Sequence, residues 1–530
     1  MTKSHTETAP GNPVVPPVAV EFLQKLLAEI AVVSSLTGMV LCMLGGMRQL
    51  GLLLLAHVLE QRDLPFRHRD VEVLCPGCQA VMRRSKNLRK VRRYTMLGKL
   101  IYRRCGYECP LCQRRLFPLD RQLDLVANLR GHSLEFASNV VLLCTVVPFG
   151  KGCELFSIFC GFAVSTRLAR ALTFTVGTRL FEAEMQRAQT LWEQRVTHPE
   201  IFEPPPAQLR TIKRHERVYV MTDNSKVGLQ EGQRGRKAPK LKTLRKLMQH
   251  ERLKRARAAK RGKPGPVPAE EAEPSGEDGL DDESWRDVRG LLIFREADLA
   301  QSSPSRREIL SRRVLGHVGT KEEWLRLVHM AFHEEGVYTA HEVVVIADGG
   351  NGIWELIEEL LPSTPSRRVV EVLDWYHAAS HLWAVGRALK GCKTPAQKKR
   401  CVAWVSTLLD NLAEGRAANV IQRLEKLTNL SGEAAEAVRK CIKYFDGHRT
   451  RMRYAWYRKQ KMLIGSGAME SIHAWVFQAR CRLPGMRWSQ AGVNAMLRLR
   501  CSWASGRWDE DFASAAVATQ KTSHEIKAAA

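Results

Sequence analysis

The order of apolar and polar positions divides the chain before any motif is considered. Residues 20–62 are dense in apolar side chains at helical spacing. Within them Ala31 to Met47 carries no charge, Arg48 interrupts, and Leu52 to Leu55 follows. A bilayer-spanning helix needs about 20 predominantly apolar residues. This run, which also holds Gly38, Gly45 and Gly46, falls short, so two packed helices and no membrane partner are expected, with a bilayer helix as the alternative reading. Residues 70–120 alternate strand-like runs (VRRYTM, LIYRRC) with cysteines, and 121–200 reads as several helices.

The period changes in the middle third. Glu216 to Asp223 (ERVYVMTD) has the β-branched and aromatic content of a strand, as do residues 288–296 and 313–318. Lys321 to Glu335 is helical, with Trp324, Leu327, Val328, Met330 and Ala331 on one side. Val343 to Asp348 (VVVIAD) is apolar without alternation, as in a strand buried on both faces. A short helix over Ile353 to Leu361 and a second buried strand over Arg368 to Leu373 follow. From His377 to about Phe445 the pattern is helical, and a last helical region runs from Gly465-Ser466-Gly467 to about Arg507. The order β, β, β, α, β, α, β predicts a mixed sheet with helices on its faces, the order of an RNase-H-like domain. No fixed-period repeat is present, which excludes solenoids and propellers.

These changes of pattern divide the chain into a helical region (1–66), a cysteine-bearing domain (67–120) and a helical domain (121–210). A core over 211–380, a helical insertion over 381–460, a return to the core over 461–510 and a tail over 511–530 complete it. The core is interrupted at 229–287, where residues 229–268 hold 14 Lys/Arg against 2 acids before an acidic Pro/Gly/Ser stretch. Consecutive blocks of opposite charge mark a surface insertion rather than core.

Charge then narrows the partner. Lys+Arg 82 against Asp+Glu 55 gives +27, an excess whose commonest partner is a polyanion. Most of the 14 cysteines stand singly among apolar neighbours, and the N-terminus lacks a basic segment followed by an apolar run, so a reducing, cytoplasmic setting is expected. The cysteines with regular spacing are Cys75-Pro76-Gly77-Cys78 and Cys109-Pro110-Leu111-Cys112. Paired Cys-x-x-Cys turns supply the four thiolates that tetrahedral Zn²⁺ takes, and seven basic residues lie from Arg83 to Arg93. Cys105 competes as a ligand, and a redox dithiol is the other reading of such a pair.

Two further regions carry cations suited to DNA. A helix, a turn at Gly161 and a Ser/Thr-started helix bearing Arg167 and Arg170 read as helix-turn-helix or as an ordinary helical bundle. Arg449, Arg451 and Arg453 interleave with Tyr454 and Trp456, which suits backbone contact plus base stacking, or equally an amphipathic helix with a solvated face. Arg487 is a candidate phosphate contact beside Trp488, which reads as packing.

Three carboxylates stand where strands end or a helix opens: Asp223, Asp348 before Gly349-Gly350, and Glu470 just past Gly465-Ser466-Gly467. Singly, each reads as a turn former or a complement to a helix dipole. Together, at the carboxyl edge of a partly parallel sheet in a basic chain, they read as ligands for divalent cations. Two Mg²⁺ (or Mn²⁺) ions held this way stabilise an in-line phosphoryl displacement.

The stretches IADGGNGIW, LDWYHAASHLW, YFDGHRTRMRY, IGSGAMESIHAWV and MRWSQAGVNAMLRLRC resemble the DDE transposases of bacterial insertion sequences, in particular the ISKra-type group related to Mutator-like transposases. The resemblance implies an RNase-H-like α/β catalytic domain with a helical insertion, preceded by a zinc ribbon and a helical DNA-binding region. It makes Asp223, Asp348 and Glu470 the catalytic acids, with Asp374 a rival for the second position. Asp374 to His377 matches the Asp/Cys-x-x-His element of these enzymes, and His377 is read either as an accessory catalytic residue or as structural. The chain departs from the family in having Asn224 where members carry Gly after the first aspartate. The implied activity is binding of inverted-repeat ends in double-stranded DNA followed by strand cleavage and transfer, by a dimer or higher oligomer at the bacterial nucleoid. A catalytically silent DNA-binding derivative and a nuclease without strand transfer are the alternatives.

Overall fold

The computed structural model describes residues 15–68, 71–123, 129–197, 216–229, 285–303, 306–350, 352–362, 367–483 and 486–517. Nearly all of the charged insertion expected at 229–287 lies outside them.

Two helices, Pro17–Ala31 and Leu36–Asp63, open the chain. Ser35 ends the break between them by accepting a hydrogen bond from the Gly38 N–H. The pair forms as expected, but the break falls at 32–35, and the second helix carries Arg48 within it. With the turn that extends it to Arg67, this helix is long and apolar enough by length and composition to cross a membrane. The sequence argument that the run is too short therefore does not hold for the helix as folded. Val40, Leu41, Met43, Leu44 and Met47 are exposed along it.

The cysteine region is built from short strands, β1 (Arg83–Arg84), β4 (Tyr107–Glu108) and β5 (Arg115–Leu116), around a hairpin of β2 (Arg89–Thr95) and β3 (Gly98–Arg104). The two runs read as strands are the two arms of this hairpin. In β3, Leu100, Tyr102 and Arg104 point inward and alternate with exposed residues. Leu100 and Tyr102 pack with Leu59 of the second helix and with Leu119.

Helices Leu134–Val146, Phe149–Cys160 and Thr166–Thr197 follow. The last has 32 residues and is a structural spine rather than a short reading helix. It buries Ala169, Leu172, Thr173, Val176, Gly177, Glu184 and Ala188, and packs against helices Lys321–Glu334 and Gln490–Ala504. Residues Leu129 to Val176 of the region expected as a helical domain at 121–210 form a core of their own with Leu499, Phe512, Ala515 and Ala516, while Ala188 farther along the spine belongs to the core of the sheet.

The central sheet is mixed, with strand order β10-β7-β6-β11-β12. β6 (Arg217–Gly228), β7 (Trp285–Arg295) and β10 (Arg313–His317) are antiparallel neighbours, and β11 (Glu342–Ala347) and β12 (Arg368–Leu373) add in parallel to β6. The parallel strands are cross-connected by helices, as parallel pairing requires. Sequence reading missed a small hairpin of β8 (Leu299–Ser303) and β9 (Arg306–Ile309). Among the described residues, the chain between β12 and helix Gly467–Ile472 forms no strand and is largely helical. The expected tail is in part helix Trp508–Val517, which buries Phe512, Ala515 and Ala516.

Glu184 holds the spine to the sheet domain. Its carboxylate pairs with Arg313 of β10 at 3.0 Å and with Arg498 of helix Gln490–Ala504, all three buried.

Candidate metal centres

The sheet's carboxyl edge is where the acidic residues gather. β6 does not end at Asp223, as the sequence suggested, but runs five residues further, paired with β7. What ends there is the parallel neighbour: the last β11 partner of β6 is Ala347, opposite Thr222. Asp223 is thus the first residue of β6 beyond its parallel neighbour. Asn224 continues the strand opposite Arg289, so this position needs no left-handed backbone and Asn serves as well as Gly.

Asp348 is the next residue after β11. The Gly350 N–H donates to its Oδ1 at 2.8 Å, Gly349 turns the chain at φ +84°, and the Tyr444 hydroxyl donates to its carbonyl. A side chain at Gly349 would also meet His448 Nε2 at 2.8 Å.

Asp374 is the first residue after β12 and is fully buried. It caps helix Trp375–Lys390 by accepting from the Tyr376 N–H at 3.0 Å. It also accepts from Ser466, from the N–H at 3.2 Å and from the hydroxyl at 2.7 Å. Ser466 immediately precedes helix Gly467–Ile472, which carries Glu470 in its first turn. One carboxylate therefore ties the end of the sheet to the segment that presents Glu470. His377 stands one residue beyond the capped Tyr376, in the same first turn.

Helix Gly467–Ile472 lies against β6 and β7 because the sheet has a trough there. Gly316, Gly290 and Asp223 are register partners across β10, β7 and β6. A Cβ at Gly290 would meet Phe477 at 2.8 Å as well as Met469, and one at Gly316 would meet Phe477 at 2.6 Å. Two missing side chains let this helical segment sink onto the sheet beside Asp223. The segment continues through a π-helical turn, His473–Gln478, a rare form frequent at functional sites.

Ligand atoms of Asp374, His377 and Glu470 lie within 4.8 Å of one another, a spacing that could hold a metal ion. Asp223 and Asp348 join this group through their charges. Burial, then the Asp348 charge, then that of Glu470 raise the Asp223 carboxyl to about 6, against the opposing pull of the Asn224 N–H and His377. The structure thus gathers all five sequence candidates, but the tightest group joins Glu470 to Asp374 and His377 rather than to Asp223 and Asp348.

Sequence reading missed His473, whose Nε2 is 3.6 Å from Asp223 Oδ2. Burial lowers its pKa to about 4 against the opposing pull of the Asp223 backbone and the Asp348 charge, so it faces Asp223 as a neutral ring. Its spacing of three from Glu470, one helical turn, was the available signal.

The cationic candidates divide. Arg451 pairs with Glu371 of β12 at 2.6 Å and lies over the Trp354 ring, and the buried Tyr454 donates to the Leu373 carbonyl at 3.0 Å. Arg449 pairs with Asp446, and Arg453 lies over Trp456. The Arg/aromatic stripe read as a DNA contact is thus largely folded against edge strand β12 and its surroundings. Cations over rings serve edge packing as well as they serve nucleic acid. Arg167 and Arg170 are exposed at the start of the spine helix, and Arg487 is exposed beside Gly228. Trp488 is buried, its indole N–H donating to the Cys481 carbonyl at 2.9 Å.

The second centre is the cysteine cluster. Cys75, Cys78, Cys109 and Cys112 converge with Sγ separations of 3.4 Å (Cys75 to Cys112), 3.4 Å (Cys78 to Cys109) and 3.7 Å (Cys78 to Cys112). Tetrahedral Zn²⁺ with Zn–S bonds of about 2.3 Å requires about 3.8 Å between sulfurs, so the cluster fits the ion closely. The knuckles share one backbone plan. Cys75 N–H bonds to Ala80 O and Gln79 N–H to Cys75 O, matched by Cys109 to Arg114 and Gln113 to Cys109. Gln79 and Gln113, each following a second cysteine, adopt φ of 59° and 56°. N–H groups of Gly77 and Cys78 draw the Cys75 thiol down to about 6, toward the thiolate a metal takes. Cys105 lies outside the cluster, its backbone N–H bonded to Asp63.

No family model matches the chain, and a comparison with curated proteins finds no match.

Proposed function

We propose that this chain is a metal-dependent DNA transposase of the DDE kind, with an RNase-H-like core and a zinc ribbon preceding it. The observation that carries the reading is the crowding of carboxylates at one sheet edge, felt most at Asp223, which burial, Asp348 and Glu470 push up to about 6. Carboxylates that repel one another in this way gain from a shared divalent cation. The strand order β10-β7-β6-β11-β12, three antiparallel strands followed by two parallel ones, supports the RNase-H-like assignment.

In this reading Asp223, Asp348 and Glu470 are the magnesium or manganese ligands. Bound cations supply the positive charge that a phosphodiester displacement needs. Asp374 already accepts three hydrogen bonds, so it acts as a positioning residue, fixing through Ser466 the place of Glu470. His377 lies close enough to Glu470 and Asp374 to be a further ligand or to orient one. The basic surplus, with Arg167, Arg170 and Arg487 exposed, holds double-stranded DNA at the element's ends. Water cuts the end and the freed 3′-hydroxyl attacks target DNA in the cytoplasm, with two ends brought together by at least a dimer.

The test uses duplexes carrying the matched inverted ends from the DNA flanking the gene. Wild-type protein is expected to cut them only with Mg²⁺ or Mn²⁺ and to join the products to a target plasmid. Asp348→Asn and Glu470→Gln should bind the duplex and not cut it. Cleavage by either at the wild-type rate overturns the site. Cleavage without joined products reduces the activity to that of a nuclease.

A further inference from the structure

A cavity of about 600 Å³ lies apart from the acidic edge, between the helical region and the return of the chain to the core. Phe149, Arg170 and Phe174 line it from one side and Arg480, Arg487 and Trp488 from the other. Among the described residues its lining includes three guanidinium groups and no carboxylate.

Arg480 is the unusual member. It is fully buried, held over Phe149 at 4.9 Å and Trp488 at 5.5 Å, with Nε donating to the Cys144 carbonyl at 3.1 Å. It has no ion pair among the described residues, and its Nη2 has no hydrogen-bond partner. A buried cation without a counter-charge is costly, and an anion beside it relieves that cost. The cavity also receives the start of helix Gln490–Ala504, capped by Ser489 and with Ala491 and Gly492 in the wall, whose N–H dipoles favour negative charge. The remaining walls include the rings of Phe149, Phe174 and Trp488 beside Pro148, Thr178 and Met486. Phosphate recognised by arginines and a helix N-terminus, beside rings that can stack, is the chemistry of a nucleotide.

The cavity is connected to the acidic edge by short, regular segments. The Trp488 N–H bonds to the carbonyl of Gly228, five residues beyond Asp223 on β6, a span of about 17 Å. That is about five steps of stacked DNA strand.

We propose that this cavity takes one nucleotide of a bound DNA strand, swung out of the stack, its base against Phe174 and Trp488 and its phosphate against Arg170 and the start of helix Gln490–Ala504, with the buried Arg480 charge behind the wall. The inference rests on the DNA-binding reading above and adds to it a site for a single nucleotide. Unpairing is cheapest at a mismatch, so mismatched duplexes report on it.

The experiment measures affinity of the full chain for a duplex carrying one inverted end, with single mismatches moved through it one position at a time. A mismatch at one position is expected to tighten wild-type binding about tenfold, the others leaving it little changed. Phe174→Ala should lose this gain, and so should Arg170→Ala, whose exposed side chain makes it the safer variant to fold. Duplex binding with no position-specific gain overturns the proposal and leaves the DNA-binding reading standing. Absence of duplex binding overturns both. A free nucleotide is the other source of the same chemistry, and dialysis against dAMP separates it: dAMP bound without any mismatch effect overturns the strand as occupant.

Discussion

Replacing Asp223 with Asn should stabilise the protein while removing its response to magnesium. The Asp223 carboxyl titrates near 6 in the fold against 3.8 ordinarily, chiefly because it is buried and next because it faces Asp348. A raised acid pKa means the folded state holds the proton more tightly than the unfolded state. Stability therefore falls as pH rises through the window from 3.8 to about 6, and the full penalty is present above it. Each pKa unit is worth about 1.4 kcal/mol, so the penalty at pH 8 is about 2–3 kcal/mol once the side chain's partial exposure is discounted. Asn carries no charge and escapes it. Thermal unfolding in chelator at pH 8 should place Asp223→Asn on the order of 5 °C above wild type, for the part of the chain that unfolds with the sheet. At pH 4.5 the gap should shrink to about a third, because the wild-type group is then protonated in the fold and partly so in the unfolded chain. Added Mg²⁺ at pH 8 should raise the wild-type melting temperature and leave the variant nearly unmoved. A variant that melts at or below wild type at pH 8, or an equal gap at both pH values, refutes the reasoning.

Three further outcomes follow from the geometry. Gly290→Val places a side chain where Met469 and Phe477 now lie, so it should cost about 1–3 kcal/mol in denaturant unfolding and lift Glu470 away from Asp223, with loss of cleavage. Cys75→Ser should release zinc, measured as metal per chain by elemental analysis, and lower the melting of the β1-β4-β5 sheet that packs with the cysteines; unchanged metal content would sink the assignment of four thiolates to one ion. Arg451→Ala should cost about 1–2 kcal/mol of stability through the lost Glu371 pair and Trp354 contact, while duplex affinity at low temperature stays within about twofold of wild type.

The strands that build the acidic edge were legible because burial on both faces leaves an unmistakable mark. Val343 to Ala347 and Arg368 to Leu373 fold as read. The extension of β6 past Asp223 was not legible, because Asn224 to Gly228 becomes a strand only by pairing with β7, more than fifty residues away. The cysteine cluster was legible down to its four ligands, since two Cys-x-x-Cys turns allow few arrangements. The Arg449 to Trp456 stripe kept two readings for a chemical reason: guanidinium over an aromatic ring looks the same in sequence whether the neighbour is a base or an edge strand. Asp374 was read as a rival ligand, and its tether to Ser466 depends on a residue 92 positions away. His473 lay inside a recognised motif, yet its place beside Asp223 follows from the trough made by Gly290 and Gly316, which no local pattern announces.

The carboxylate of Glu184 decides where this chain can be cut. A fragment beginning at β6 would keep Arg313 and Arg498 but lose the acid they share, leaving Arg313 with Glu334 alone and Arg498 with no ion pair among the described residues. Breaking a buried pair in this way costs about 3–5 kcal/mol, a large share of any domain's margin. The sheet half is thus expected to be insoluble when expressed without helix Thr166–Thr197. Supplying that helix on a separate peptide should recover it, so that the helical region at one end of the spine and the sheet at the other are parts of a single folding unit.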